Sequence, residues 1–146
     1  MLKSFVLSQF LFFLMIPVVY GLETDAQVFV NASVKLDDMT KIQARRIFSM
    51  RQTSWPDHSL ITVYVMESSH QTHKVFSTQL LGLFPYQLDR IWNKLVYSGL
   101  GEEPIKVKNE QEMLDKISNT PGAIGYLLNN LQIDNANVKI VFVTEG

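Results

Sequence analysis

Cysteine is absent from this chain of 146 residues. A chain without cysteine forms no disulfide, so a folded core must hold it together, and no cysteine can carry a lipid anchor. The chain also has no large excess of either positive or negative charge, because it contains 13 basic and 14 acidic residues. No basic stripe is visible, which argues against a nucleic-acid partner. Repeats, low-complexity segments and linkers are also missing, so we expect one globular domain.

The first 21 residues have the pattern of a secretory signal peptide. Lys3 provides the positive charge, an apolar run covers residues 5–20, and Val19 and Gly21 are compact residues at a cleavage site. We expect cleavage after Gly21. The alternative is an uncleaved anchor, although the apolar run is shorter than the roughly 20 residues that span a bilayer. The sequence therefore predicts a secreted domain of residues 22–146 without a stable membrane span.

Alternating strand and helix patterns predict an α/β fold for this domain. The predicted strands cover residues 26–32, 60–66, 104–107, 123–127 and 138–143, and the predicted helices cover residues 39–48, 72–83, 85–99 and a stretch after residue 109. Asp37 or Asp38 is the expected cap of the first helix. Trp92 lies on an apolar helical stripe, which places it in the core. Residues 140–143 are apolar at every position, which predicts a central strand covered on both faces.

Short motifs between residues 28 and 127 resemble a known family. They are Val30-Asn31, Ile47-Phe48, Trp55-Pro56-Asp57 and the string TPGAIGY at residues 120–126. Their order is similar to that of the periplasmic phosphate-binding protein family, the substrate-binding receptors of phosphate ABC transporters. The resemblance implies a single lobe of a type 2 periplasmic binding protein-like fold, with a mixed sheet flanked by helices. It also implies a Gram-negative periplasm, and it puts His58 where the family has glycine.

The resemblance also implies an anion-binding turn before the second helix. Family members have an Arg there, followed by Ser-Gly-Thr at the start of the helix. The Arg position falls on Met66, and the other three fall on His70, Gln71 and Thr72. A shift of one residue would give the role of the serine to Ser69. Backbone N–H groups at a helix start suit an oxyanion, so we expect Ser69, His70, Gln71 and Thr72 to bind a small anion such as phosphate.

The same turn permits two other interpretations. Its serine and threonine hydroxyls are equally good helix caps. Glu67, His70 and His73 could contribute to a metal site, but no further ligand is indicated and we expect no metal. Strings typical of nucleophilic or nucleotide-binding enzymes are missing, so we expect a protein without a cofactor and without catalysis.

Two functions stay open at this point. The first is a secreted, periplasmic solute-binding protein that holds phosphate or another small anion. The second is an envelope interaction protein that kept the fold and lost the anion site. No Arg or Lys lies between Arg51 and Lys74, and the length suits one lobe where the family's receptors close two lobes over a solute. Both features favour the second function, whose partner would be an envelope protein or a second copy of the chain.

Overall fold

The computed structural model describes residues 25–146, which form one sheet and four helices. The strands are β1 (Ala26–Asn31), β2 (Asp38–Thr40), β3 (Thr62–Met66), β4 (Ile105–Val107), β5 (Ala123–Leu128) and β6 (Val138–Thr144). The helices are α1 (Lys41–Phe48), α2 (Gln71–Val75) with a π-helical continuation (Phe76–Leu81), α3 (Pro85–Ser98) and α4 (Glu110–Asn119). The predicted signal peptide and its cleavage at Gly21 lie outside the described residues.

The sheet is mixed, with the strand order β2-β6-β1-β5-β3-β4. Strand β3 runs parallel to β4 and β5, whereas β1 runs antiparallel to β5 and β6. The first described strand thus lies in the middle of the sheet, between the last two. The predicted α/β fold with a mixed sheet flanked by helices is confirmed.

Helices α1, α2 and α3 cover one face of the sheet through an aromatic cluster. The ring of Tyr126, on β5, stacks on that of Phe76 with centroids 3.7 Å apart, and Phe48 meets Phe76 edge-on at 4.6 Å. The indole Nε1–H of Trp92 donates to the Phe48 carbonyl oxygen at 2.9 Å. Trp92 is 1% exposed, so its predicted place in the core is confirmed.

Helix α4 covers the opposite face. Gly125 lies next to Tyr126 on β5, so the two positions point to opposite faces. A Cβ at Gly125 would clash with Met113 Sδ and lie 2.9 Å from Ile117 Cδ1, so glycine lets α4 approach the strand. No helix within residues 25–146 has both the length and the apolar character required to cross a bilayer.

The start of the first helix differs from the prediction. Residues 38–40 form β2, and Asp38 pairs with Phe142 in the sheet, so neither Asp37 nor Asp38 caps α1. Thr40 is the cap: its hydroxyl oxygen accepts the Gln43 N–H at 3.2 Å, and Gln43 Oε1 accepts the Thr40 N–H at 2.8 Å. This reciprocal pair is a capping box, which fixes the first turn after the strand ends.

The prediction that residues 140–143 are covered on both faces is wrong. Val141 is 1% exposed, but Ile140 is 41% and Phe142 is 66% exposed. Ile140 pairs with Phe29 of β1 and shares the face on which α4 packs. Because α4 lies over β5 and β1, it leaves the outer part of that face uncovered at β6.

Candidate functional site

Strands β3 and β4 end beside each other, and the helices that follow them lie on opposite faces. β3 leads into α2, on the face of Tyr126, and β4 leads into α4, on the face of Gly125. Such a divergence is a topological switch point, where α/β sheets hold their ligands. The turn after β3 (residues 66–72) and the segment from β4 to the start of α4 (residues 106–110) meet at this place, which we call the β3–β4 crevice.

All four predicted anion-binding residues lie in the crevice, in different environments. Ser69 and Gln71 are exposed, His70 is half-buried, and Thr72 is buried. His70 caps α2, because its Nδ1 accepts the Thr72 N–H at 3.2 Å. The cap is therefore an imidazole, whereas the sequence favoured a hydroxyl.

Glu110 brings a carboxylate into the crevice from the first turn of α4. The Thr72 hydroxyl donates to Glu110 Oε1 at 2.5 Å, and His70 Nε2 lies 3.8 Å from Glu110 Oε2. Burial acts to raise the pKa of Glu110, but the Thr72 hydroxyl, the residue's own N–H and His70 outweigh it and lower that pKa. The position next to Thr72 is thus already held by a negative charge of the chain itself.

Lys106 supplies a positive charge that the turn itself lacks. Its Nζ lies 3.5 Å from Glu67 Oε2 across the ladder between β3 and β4. Both residues line a pocket of about 410 Å³ that opens beside the turn. The other lining residues are Ser68, Ser69, Asp89, Trp92, Asn93 and Glu103. Carboxylates outnumber ammonium groups there, so the pocket is acidic on balance.

Ser68 is engaged with one of these carboxylates. Its hydroxyl donates to Asp89 of α3, whose two oxygens lie 2.7 and 2.6 Å away. The contact ties the turn after β3 to α3. In the structure as it stands, two hydroxyls of the turn therefore donate to carboxylates of the chain itself.

His73 lies in the core behind the crevice and does not join His70 in a metal site. Its Nδ1 is 2.5 Å from the Tyr126 hydroxyl, which accepts the Met66 N–H at 2.7 Å. We assign the hydroxyl proton to the bond with Nδ1, which leaves His73 Nε2 without a partner among the described residues. Burial lowers the pKa of His73 to about 4, so the ring is neutral at pH 7.

No cluster of three His, Asp or Glu residues that could hold a metal occurs within the part of the chain that the structure describes. Glu110 and Lys106 are the crevice residues that sequence reasoning missed. They lie more than 30 positions after the turn and approach it through the parallel pairing of β3 with β4. One sequence signal was present, because the cap at Asn109 marks residue 110 as a helix start.

The string TPGAIGY has a structural role in this chain. The Gly122 carbonyl accepts the Trp55 indole N–H at 3.0 Å, and the Gly122 N–H donates to the Ser33 hydroxyl at 3.0 Å. Gly122 precedes β5, whose first residue, Ala123, pairs with Thr62 at the start of β3. The crevice lies where β3 ends, so this part of the motif fixes the opposite end of the sheet.

The sequence matches no protein-family model and no curated protein sequence. Solved structures of phosphate ABC transporter receptors do have this fold. A substrate-binding protein of Clostridium perfringens, solved with bound phosphate, superposes with a TM-score of 0.66 at 17% identity over 84% of this chain. A phosphate transport receptor of Vibrio cholerae gives 0.61 at 16% identity, and PstS of Borrelia burgdorferi gives 0.61 at 18%, each over 82% of this chain.

These similarities confirm the fold that the sequence motifs predicted. The chain spans 46% of the Clostridium and Vibrio receptors and 47% of the Borrelia protein. It thus has the fold of a part of each receptor, and the activity of the whole receptors does not carry over with the fold.

Proposed function

We propose that this chain is a secreted, periplasmic solute-binding protein that holds a small oxyanion such as phosphate in the β3–β4 crevice, without catalysis. One observation carries the proposal: α2 and α4 begin at the ends of adjacent parallel strands and lie on opposite faces of the sheet. Their first turns bring the Thr72 hydroxyl and the His70 imidazole together at Glu110, and Ser69, which is exposed, directly precedes His70 in the same turn. Hydroxyl and N–H donors at helix starts are suitable groups for an oxyanion.

Two further findings support this proposal. Lys106 provides a cation beside the turn, although the family's Arg position holds Met66. The solved structures that share the fold come from phosphate transport, and one of them contains phosphate.

A second candidate function is an envelope interaction protein that kept the fold and lost the anion site. The observation in its favour is that Ser68 and Thr72 already donate to Asp89 and Glu110. Hydroxyl groups that already donate to carboxylates of the chain are less available to form hydrogen bonds with a solute. A protein partner or a second copy would then bind the open face of the lobe.

A thermal-shift measurement with inorganic phosphate separates the two functions. Phosphate at a hundredfold excess over its dissociation constant should stabilise a binding protein by about 2.7 kcal/mol. Thr72→Val keeps the volume of the buried side chain and removes its hydroxyl, so the phosphate shift should disappear. Thr72→Ser keeps the hydroxyl and should retain most of the shift.

Thr78→Val is the matched control, because Thr78 is exposed on the π-helical segment and its hydroxyl donates to the Lys74 carbonyl. This variant should respond to phosphate as the unmodified protein does. A folded protein that shows no shift with phosphate, sulfate or acetate would refute the solute-binding function. Isolation of a specific envelope partner, or of a dimer, would then support the interaction function.

A further inference from the structure

We infer that the Glu110 carboxylate competes with a solute for the donors of the β3–β4 crevice. A solute binds by displacing this carboxylate from Thr72 and His70. The inference rests on the proposed function, because it concerns the affinity of the same site. It makes Glu110 a specificity-determining residue of this chain, supplied by α4 and not by the turn.

The competition follows from the number of protons available. A threonine hydroxyl carries a single proton, so it cannot donate fully to Glu110 and to a solute at once. Thr72 is 1% exposed, and its hydroxyl donates to Glu110 Oε1. The second donor, the His70 imidazole, is also directed at Glu110. Its Nδ1 accepts the Thr72 N–H, so the ring proton lies on Nε2, which is 3.8 Å from Glu110 Oε2.

The carboxylate can leave without unfolding the helix that carries it. The Glu110 side chain is 33% exposed, so it has solvent to move into. The start of α4 is held by other groups, since Asn109 Oδ1 accepts the Glu112 N–H at 2.9 Å and Glu112 Oε2 accepts the Lys108 N–H at 2.7 Å. Displacing Glu110 therefore costs its own contacts and leaves the cap of α4 intact.

Charge adds to the competition. Glu110 and Glu67 both border the turn, and Lys106 is paired with Glu67 at 3.5 Å. Like charges a few ångströms apart repel appreciably at the edge of a protein, where the effective dielectric constant is well below that of water. A phosphate that enters while Glu110 stays in place meets this repulsion, so the affinity of the crevice depends on where the Glu110 carboxylate is.

Glu110→Gln tests the inference through the dissociation constant of inorganic phosphate, measured by isothermal titration calorimetry. The variant removes the negative charge and weakens the hydrogen bond that residue 110 accepts from the Thr72 hydroxyl. We therefore expect phosphate to bind roughly tenfold more tightly, which corresponds to about 1.4 kcal/mol of binding free energy. Glu110→Asp keeps the charge and shortens the reach, so its affinity should lie between those of Glu110→Gln and the unmodified protein. Unfolding midpoints without phosphate verify that both variants are folded.

Glu112→Gln is the matched control. It makes the same charge change in the same helical turn, but the Glu112 carboxylate accepts the Lys108 N–H and does not contact Thr72 or His70. Because the Glu112 side chain holds neither donor of the crevice, this variant should bind phosphate like the unmodified protein.

The outcomes distinguish the inference from the proposed function. Equal affinity in the unmodified protein and in Glu110→Gln would overturn the inference and leave the function standing. Binding by Glu110→Gln alone would support the inference and overturn the function for the unmodified chain. Folded proteins that bind no phosphate in any of these forms would overturn both.

Discussion

Among the glycines of residues 25–146, Gly122 has the surroundings that leave least room for a side chain. Its φ is +74°, and a Cβ there would overlap the Leu60 carbonyl oxygen, which is backbone and cannot rotate away. Gly122→Ala should therefore lower the free energy of unfolding by about 3 kcal/mol or more, from strain and steric overlap together. Urea unfolding measures the change.

Gly99→Ala is the control for the backbone part of that cost. Gly99 ends α3 with a similar φ of +69°, but no atom lies within 4 Å of its Cβ position. Its replacement should cost only about 1 kcal/mol, the penalty for the left-handed conformation. Equal costs at the two positions would mean that the Leu60 segment moves aside without loss.

Single residues were predictable where the signal was local. Trp92 was placed in the core by its helical stripe, and it is 1% exposed. His58 has a φ of +70°, a left-handed conformation that glycine adopts more readily than histidine does. Glu110 was not predictable, because its contact with Thr72 depends on how two distant helices start.

The exposed face of β6 gives a test at the scale of the strand. Val141→Thr puts a hydroxyl into the core at nearly constant shape, which should cost about 2 kcal/mol of unfolding free energy. Phe142→Thr changes a side chain that is 66% exposed and should cost less than about 1 kcal/mol. Chemical unfolding of the two variants measures the difference. A larger cost at Phe142 than at Val141 would show that a further element covers this face.

The errors at this scale have tertiary causes. Residues 140–143 are apolar throughout, but the position of α4 decides which of them are covered, and that position depends on the close approach at Gly125. The helix predicted over residues 72–83 changes to π geometry at Phe76. Arg45 Nε donates to the Leu81 carbonyl and the Ser77 hydroxyl donates to the Leu83 carbonyl, both at 2.5 Å. These hydrogen bonds satisfy carbonyl groups at the end of the π-helical segment. They cannot be predicted from the hydrophobic periodicity of the sequence.

The stability of the whole molecule should fall in acid because of His73. Its pKa is about 4 in the folded protein against 6.5 in the unfolded chain, so the unfolded state binds the proton first. The stability that depends on the neutral ring is complete above pH 6.5 and is lost as the pH falls towards 4, by on the order of 3 kcal/mol. Urea unfolding at several pH values between 4 and 7 measures this loss.

His73→Phe should flatten that pH dependence, because phenylalanine does not titrate. The slope is the relevant quantity, since the variant also loses the bond to Tyr126 and its absolute stability will change. Burial is the main cause of the shift, and the charged or titratable groups that modify it are Asp89, His70, Lys106 and Glu67. An unchanged slope in His73→Phe would show that His73 is not the cause of the acid sensitivity.

At the scale of the molecule, periodicity predicted the fold class, and the motif resemblance predicted the mixed sheet. Strand order is a different matter, because it depends on pairings between residues about 100 positions apart, such as Ala26 with Leu128. The composition of the β3–β4 crevice also depends on such distant pairings. Its turn was predicted from local sequence, whereas Lys106 and Glu110 come from the strand and helix that the sheet places beside it.

The central place of β1 also bears on when this chain can fold. Val28 pairs with Tyr126 on one side and with Val141 on the other, so the middle of the sheet cannot close before residue 141 has been synthesised. Pairings of such sequence separation form late and slowly. A nascent chain of this protein therefore keeps its central strand without partners until β5 and β6 have been synthesised.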